Sequence, residues 1–130
     1  MHTTNSPHNA DDRLDGGFTL IELLVVVLII SVLAAIAIPA FLAQRDSAFL
    51  ASVKSDLHEA AVAAETFAAS RGSYAGMDVA ALKSRGFESS PGVEISLALS
   101  PTAYVITATN ENLDASQSWT YSSSTGVISD

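Results

Sequence analysis

Among the residues able to do chemistry, Glu22 needs an account first, because it immediately precedes Leu23–Ala43, a run with no charged side chain. A carboxylate at the edge of hydrocarbon is costly unless it is paired or solvated. The first turn of a helix supplies one remedy, since the macrodipole there favours an anion. Headgroup water is a second. A third lies just upstream, where Gly16-Gly17 gives a loose, sterically open backbone of the kind a protease requires, although a simple hinge describes the two glycines equally well. A cut after Gly17 frees an α-ammonium at Phe18, four residues before Glu22. In a bundle of identical helices each Glu22 then pairs with a neighbour's terminal amine. Such pairing sets axial register, because a slip leaves two buried charges unpaired.

The other candidates are weaker. His2, His8 and His58 include no pair at metal-ligand spacing with acids on one helix face. Gly16-Gly17 is followed by no phosphate-loop lysine, and no serine has an adjacent base. No enzymatic activity and no cofactor are expected. Asn110, Glu111, Asn112 and Asp114 gather oxygen atoms of the kind calcium uses. A solvated polar loop accounts for them as well, so no metal is expected. Trp119 and Tyr121 have the faces to stack a ligand, but the core face of a sheet is their expected place.

The elements that must position these residues follow from how the apolar residues are distributed. At helical rise Leu23–Ala43 spans roughly 30 Å, about the hydrocarbon thickness of a bilayer. The rest of a 130-residue chain cannot surround it, so it must meet lipid, other protein chains, or both in turn. A secretory signal has a shorter apolar core, about 7–15 residues. Arg13 and Arg45 flank the run on opposite sides and leave its orientation unmarked. The formal charge of −8 disfavours nucleic-acid phosphates, and no direct nucleic-acid partner is expected. With no cysteine, disulfides and thiol chemistry are excluded together.

Gly17-Phe18-Thr19-Leu20-Ile21-Glu22-Leu23-Leu24-Val25-Val26 resembles the processing site of type IV prepilins. The likeness extends over roughly the first 30 residues from Gly16. It implies a prepilin peptidase cutting between Gly17 and Phe18, N-methylation of Phe18, and a filament-register role for Glu22. It further implies that residues 1–17 are a cytoplasmic leader, although Met1–Gly17 holds three Asp and one Arg where family leaders are usually basic. Residues 18–43 become a transmembrane helix and then a filament core. The resemblance also attaches a helix bend to Pro39, whose missing N–H and crowding ring already predict a kink.

Beyond Pro39, Phe49, Val53, Leu57, Ala60, Ala64 and Phe67 recur at spacings of three and four, one stripe of an amphipathic helix over 44–70. The whole helix is expected from about Phe18 to about Ser70, with Arg71-Gly72 as its stop. Residues 71–130 are too few for a robust core of their own and need that stripe as a wall. They predict a short helix over Met77–Arg85 and then strands at Val93–Leu99, Tyr104–Thr109, Trp119–Ser122 and Val127-Ile128, joined by loops at Ser100–Ala103 and Asn110–Ser118. The fold class is therefore α+β, a long N-terminal helix packed on a small antiparallel sheet. The resemblance calls this the pilin lollipop, and the lack of a disulfide makes it more like pilins of Gram-positive bacteria.

The expected function is a structural subunit of a type IV pilus, a homo-oligomeric helical filament. The precursor waits in cytoplasmic-membrane lipid with its N-terminus inside and its C-terminal domain outside. Its implied partners are the prepilin peptidase, an assembly platform protein and an ATPase. The alternatives are a pseudopilin of a type II secretion or competence DNA-uptake system, and an uncleaved single-span protein with a binding domain.

Overall fold

The computed structural model describes residues 1–4 and 17–130. Gly16, His8 and the greater part of the expected leader lie outside the described residues. Two compact units divide the chain, Met1–Ala40 and Phe41–Asp130.

Helix α1 runs Leu20–Arg71 and contains Pro39. It begins two residues later than the apolar pattern predicts, because Thr19 and Glu22 cap it. The Thr19 N–H donates to Glu22 Oε2 at 3.2 Å, and the Glu22 N–H donates to Thr19 Oγ1 at 3.2 Å. This reciprocal pair satisfies two of the donors that a helix N-terminus leaves orphaned. In the first unit the helix is apolar all round. Its large apolar side chains from Leu20 to Ile38 are each 49–76% exposed. By length and composition it is able to cross a membrane.

In the second unit the same helix becomes one wall of a core. Val53, Leu57, Ala60, Ala64 and Phe67 are buried, Phe49 is half-buried, and Lys54, His58, Glu59 and Glu65 are exposed. The stripe is wider than its spacing predicts, since Asp56, Ala61 and Ala63 are buried too. Four alanines, Ala60, Ala61, Ala63 and Ala64, are buried on this face. The helix stops where Gly72 turns to φ 78°, a left-handed conformation that only glycine adopts without cost. Its N–H still reaches Ala68 O at 2.7 Å.

Helix α2, Val79–Lys83, is shorter than the Met77–Arg85 expectation. Asp78 caps it by accepting from the Ala81 N–H at 2.7 Å, and Ser84 closes it. Met77 lies before the cap as a buried core residue. Strands β1 (Val93–Leu99), β2 (Tyr104–Asn110), β3 (Trp119–Ser122) and β4 (Val127–Ser129) form an antiparallel sheet in sequence order. Val93 pairs with Asn110 and Leu99 with Tyr104, while Ile106 pairs with Tyr121, which pairs with Ile128. Alternate residues of β2, namely Tyr104, Ile106, Ala108 and Asn110, are buried, and with Trp119 they line the sheet side of the core. Met77, Leu82 and Phe87 complete that core from the segment between helix and sheet. Full burial of a side chain such as Leu57, Leu82 or Ile106 contributes about 1.5–3 kcal/mol.

Candidate functional site at the helix N-terminus

The residues singled out at the head of the chain converge on one short stretch. Gly17 has open space where a Cβ would stand, and Phe18 is 89% exposed, so the Gly17–Phe18 peptide bond is accessible. Two residues further on, α1 begins and Glu22 occupies its first turn. The Glu22 carboxylate is drawn back onto the Thr19 amide. Only one carboxylate oxygen accepts this bond, and from a neutral N–H, so the negative charge itself stays available to a cation. Thr19-Leu-Ile-Glu22 has the spacing of a capping box, a signal the sequence carries in plain view. Ser31 returns its hydroxyl to Val27 O at 2.7 Å, so this polar residue adds no unpaired group to the apolar stretch.

Other candidate residues lie in the second unit and do not combine into a reactive site. His58 is exposed on α1, with its ring 6.5 Å from that of Tyr121. Among the described residues no three His, Cys, Asp or Glu side chains gather as a metal would require. The oxygens of the Asn110–Asp114 loop serve its own turns. Asn110 Oδ1 accepts from the Asn112 N–H at 2.9 Å and from Asn112 Nδ2 at 3.1 Å. Asp114 Oδ1 accepts from the Ser116 hydroxyl at 2.6 Å and from its N–H at 2.8 Å. These bonds hold the Asp114 carboxyl below the usual carboxylate range. Trp119 is a core residue, 6% exposed, and offers no stacking face.

Three polar arrangements went unnoticed in the sequence. The Asp56 carboxylate, 2% exposed, accepts from the Ser90 N–H and the Ser90 hydroxyl, each at 2.7 Å. Glu65 receives the hydroxyls of both Tyr104 and Tyr74, at 3.0 and 3.2 Å. Arg71 and Arg85 both lie over the Phe67 ring, 5.4 and 4.6 Å from its centroid. Only Asp56 had a sequence signal, since it follows Val53 by three and precedes Ala60 by four and so shares their face.

Two comparisons bear on this site. Residues 12–38 match the prokaryotic N-terminal methylation motif. The chain is also similar to the type IV wide pilus major component PilA4 of Thermus thermophilus, at 44% identity over 75 residues. That alignment covers 58% of this chain and 56% of the relative, so the chain spans little more than half of the relative's length.

Proposed function

We propose that this chain, a member of the type IV pilin family, is a structural subunit of a pilus, processed at Gly17–Phe18 and polymerised through its N-terminal helix. One observation carries the reading: a helix apolar on every side and exposed on every side, headed by a single carboxylate four residues from the accessible Gly17–Phe18 bond. Such a surface is stable in lipid before assembly. It is stable in a bundle of its own copies afterwards, where packing and charge pairing replace lipid contact.

On this reading residues 1–17 are the leader, which a prepilin peptidase removes, and Phe18 is then N-methylated. Residues 18–43 are the membrane span and later the filament core, 44–70 the amphipathic half, and 71–130 the outer domain with its sheet. Glu22 pairs with the terminal amine of a neighbouring copy and fixes register, and Pro39 gives the helix a point of bending. The precursor sits in the cytoplasmic membrane with its C-terminal domain outside. A platform protein and an ATPase then move it into an extracellular filament, with no catalytic role for the chain itself. Similarity to a major pilus component supports the pilus over a pseudopilin of a secretion or DNA-uptake machine.

Mass spectrometry of the chain, extracted from membranes and recovered separately from sheared surface filaments, tests the proposal. A mature chain beginning at methylated Phe18 in both fractions is expected. An intact Met1 end in membranes, with nothing in the sheared fraction, overturns it.

A further inference from the structure

The chain has three tyrosines, Tyr74, Tyr104 and Tyr121, and all three gather in one cluster of the second unit. Between ring centroids, Tyr104 stands 4.9 Å from Tyr74, edge to face, and 6.2 Å from Tyr121. They come from the loop after α1, from the first residue of β2 and from β3. Packing accounts for rings meeting in a core. It does not account for the hydroxyls of two of them. Tyr104 and Tyr74 both donate to the same oxygen, Glu65 Oε1, at 3.0 and 3.2 Å. Their phenol ends therefore converge, and with them the ring carbons ortho to each hydroxyl. Among the described residues Tyr121 makes no bond to this carboxylate.

One-electron oxidation of a phenol needs a base at the hydroxyl. Loss of the electron alone leaves a strongly acidic radical cation. A carboxylate already bonded to the O–H takes the proton as the electron leaves, so a neutral phenoxyl radical forms instead. The unpaired electron of that radical is shared with the ortho carbons. Two such radicals held side by side couple there before either meets another chain. Glu65 is exposed and can pass a proton to water, and Tyr74 is half-buried, whereas Tyr104 is 1% exposed. An oxidant thus reaches the pair through Tyr74, and Tyr104 gives up its electron across the ring contact.

We propose that Tyr74 and Tyr104 are an oxidative cross-linking site, joined as dityrosine by hydrogen peroxide and a haem peroxidase. Each phenol gives one electron to the oxidant and its hydroxyl proton, by way of Glu65, to water. The two radicals form one carbon–carbon bond between ortho positions, and each ortho hydrogen then moves as a proton to restore a hydroxyl. Two phenols and one peroxide give one dityrosine and two waters. The bond joins the loop after α1 to the start of β2, in a chain with no cysteine to supply a disulfide. It closes a loop containing α2 and β1, and so restricts the unfolded chain as a disulfide does. The site lies wholly in the second unit and holds whether or not the chain polymerises.

The test treats the detergent-solubilised full-length chain with hydrogen peroxide and a haem peroxidase, then maps its peptides by mass spectrometry. A monomer lighter by two hydrogen atoms is expected, with the Tyr74 peptide joined to the Tyr104 peptide. Tyr74→Phe is expected to abolish the joined peptide and Tyr121→Phe to leave it. Glu65→Gln still accepts both hydroxyls through its amide oxygen but takes up no proton, and it is expected to slow the joining about tenfold. A carboxylate that merely held the rings would be replaced by the amide without loss. The joined monomer is expected to unfold about 10 °C higher than the untreated chain. No joined peptide in the parent, or one that links Tyr121 or two separate chains in its place, overturns the site. A Glu65→Gln chain that joins at the parent rate overturns the part given to Glu65, and an unfolding temperature unchanged by joining overturns the restriction of the unfolded chain.

Discussion

The Tyr104 hydroxyl, on the first residue of β2, donates to Glu65 Oε1 on α1 at 3.0 Å and so ties sheet to helix at the end of the core. Burial first, then the hydrogen bond to Glu65, then that carboxylate's charge hold the Tyr104 phenol protonated well above its ordinary 10.0. Tyr74, 4.9 Å from Tyr104 between ring centroids, is raised in the same direction for the same causes. In the unfolded chain these phenols ionise near pH 10, and in the folded chain only at higher pH. Above that pH the unfolded state binds fewer protons, and stability falls as pH rises. Below it the contribution is fully present. Tyr104→Phe is expected to cost about 1 kcal/mol at neutral pH. It is also expected to make the alkaline loss of stability shallower, read by circular dichroism of the detergent-solubilised chain against pH. An unchanged alkaline slope counts against this assignment.

Asp56 places a carboxylate in the core and satisfies it with one residue, Ser90, 34 positions away. Asp56→Ala removes the acceptor and leaves the half-buried Ser90 N–H and hydroxyl without their partner, at an expected cost of about 1–3 kcal/mol. Ser90→Ala removes only the hydroxyl bond and is expected to cost about 1–2 kcal/mol. Because both changes act on one interaction, the double variant is expected to lose less than the sum of the two. Thermal unfolding of the four chains measures the cycle. Additive losses would mean the pair is not coupled.

What was legible in the sequence followed from period. Val93–Leu99 alternates, and it is a strand with those bounds. The stripe from Val53 to Phe67 faces the sheet because spacings of three and four leave it no other face. Trp119 is in the core, as a large aromatic in an alternating strand should be. What was not legible depends on partners far away in sequence, while the local caps are visible as residues but not in the apolar period. Nothing near Asp56 announces Ser90, and nothing near Arg71 announces Arg85. The start of α1 at Leu20 and of α2 at Val79 were each fixed by a capping side chain, Thr19 with Glu22 in one case and Asp78 in the other. Apolar spacing does not register a cap, so both expected helices began two residues early.

Two glycines with nearly equal φ separate backbone strain from crowding. Gly72 ends α1 at φ 78°, with open space where a Cβ would stand, so Gly72→Ala is expected to cost about 1 kcal/mol from conformation alone. Gly92 has φ 80°, but a Cβ there falls 2.9 Å from Asn112 Nδ2 and 3.1 Å from the Glu111 Cγ. The Asn112 amide is held by Asn110 Oδ1 and moves only by giving up that bond. Gly92→Ala is therefore expected to cost about 1–2 kcal/mol more than Gly72→Ala. Equal unfolding temperatures for the two variants would show that the loop yields freely.

Glu22 is asked to do two jobs, capping its own helix and pairing with the amine of a neighbour, and substitutions distinguish them. Glu22→Gln keeps an oxygen able to accept from the Thr19 N–H and removes the charge. Thr19→Val keeps the charge and removes the hydroxyl that accepts from the Glu22 N–H. Glu22→Ala removes both functions of the side chain. A helix that needs only its cap is destabilised by about 0.5–2 kcal/mol in Thr19→Val and hardly at all in Glu22→Gln. Filament register that needs the anion gives the opposite order. Glu22→Gln and Glu22→Ala are then both cleaved at Gly17 but missing from sheared filaments, while Thr19→Val still assembles, because a neutral amide cannot compensate a buried ammonium. The second order is the expected one, read by the mass of the N-terminal peptide and the yield of filaments from the same cells. Normal filaments from Glu22→Gln would reduce Glu22 to a capping residue.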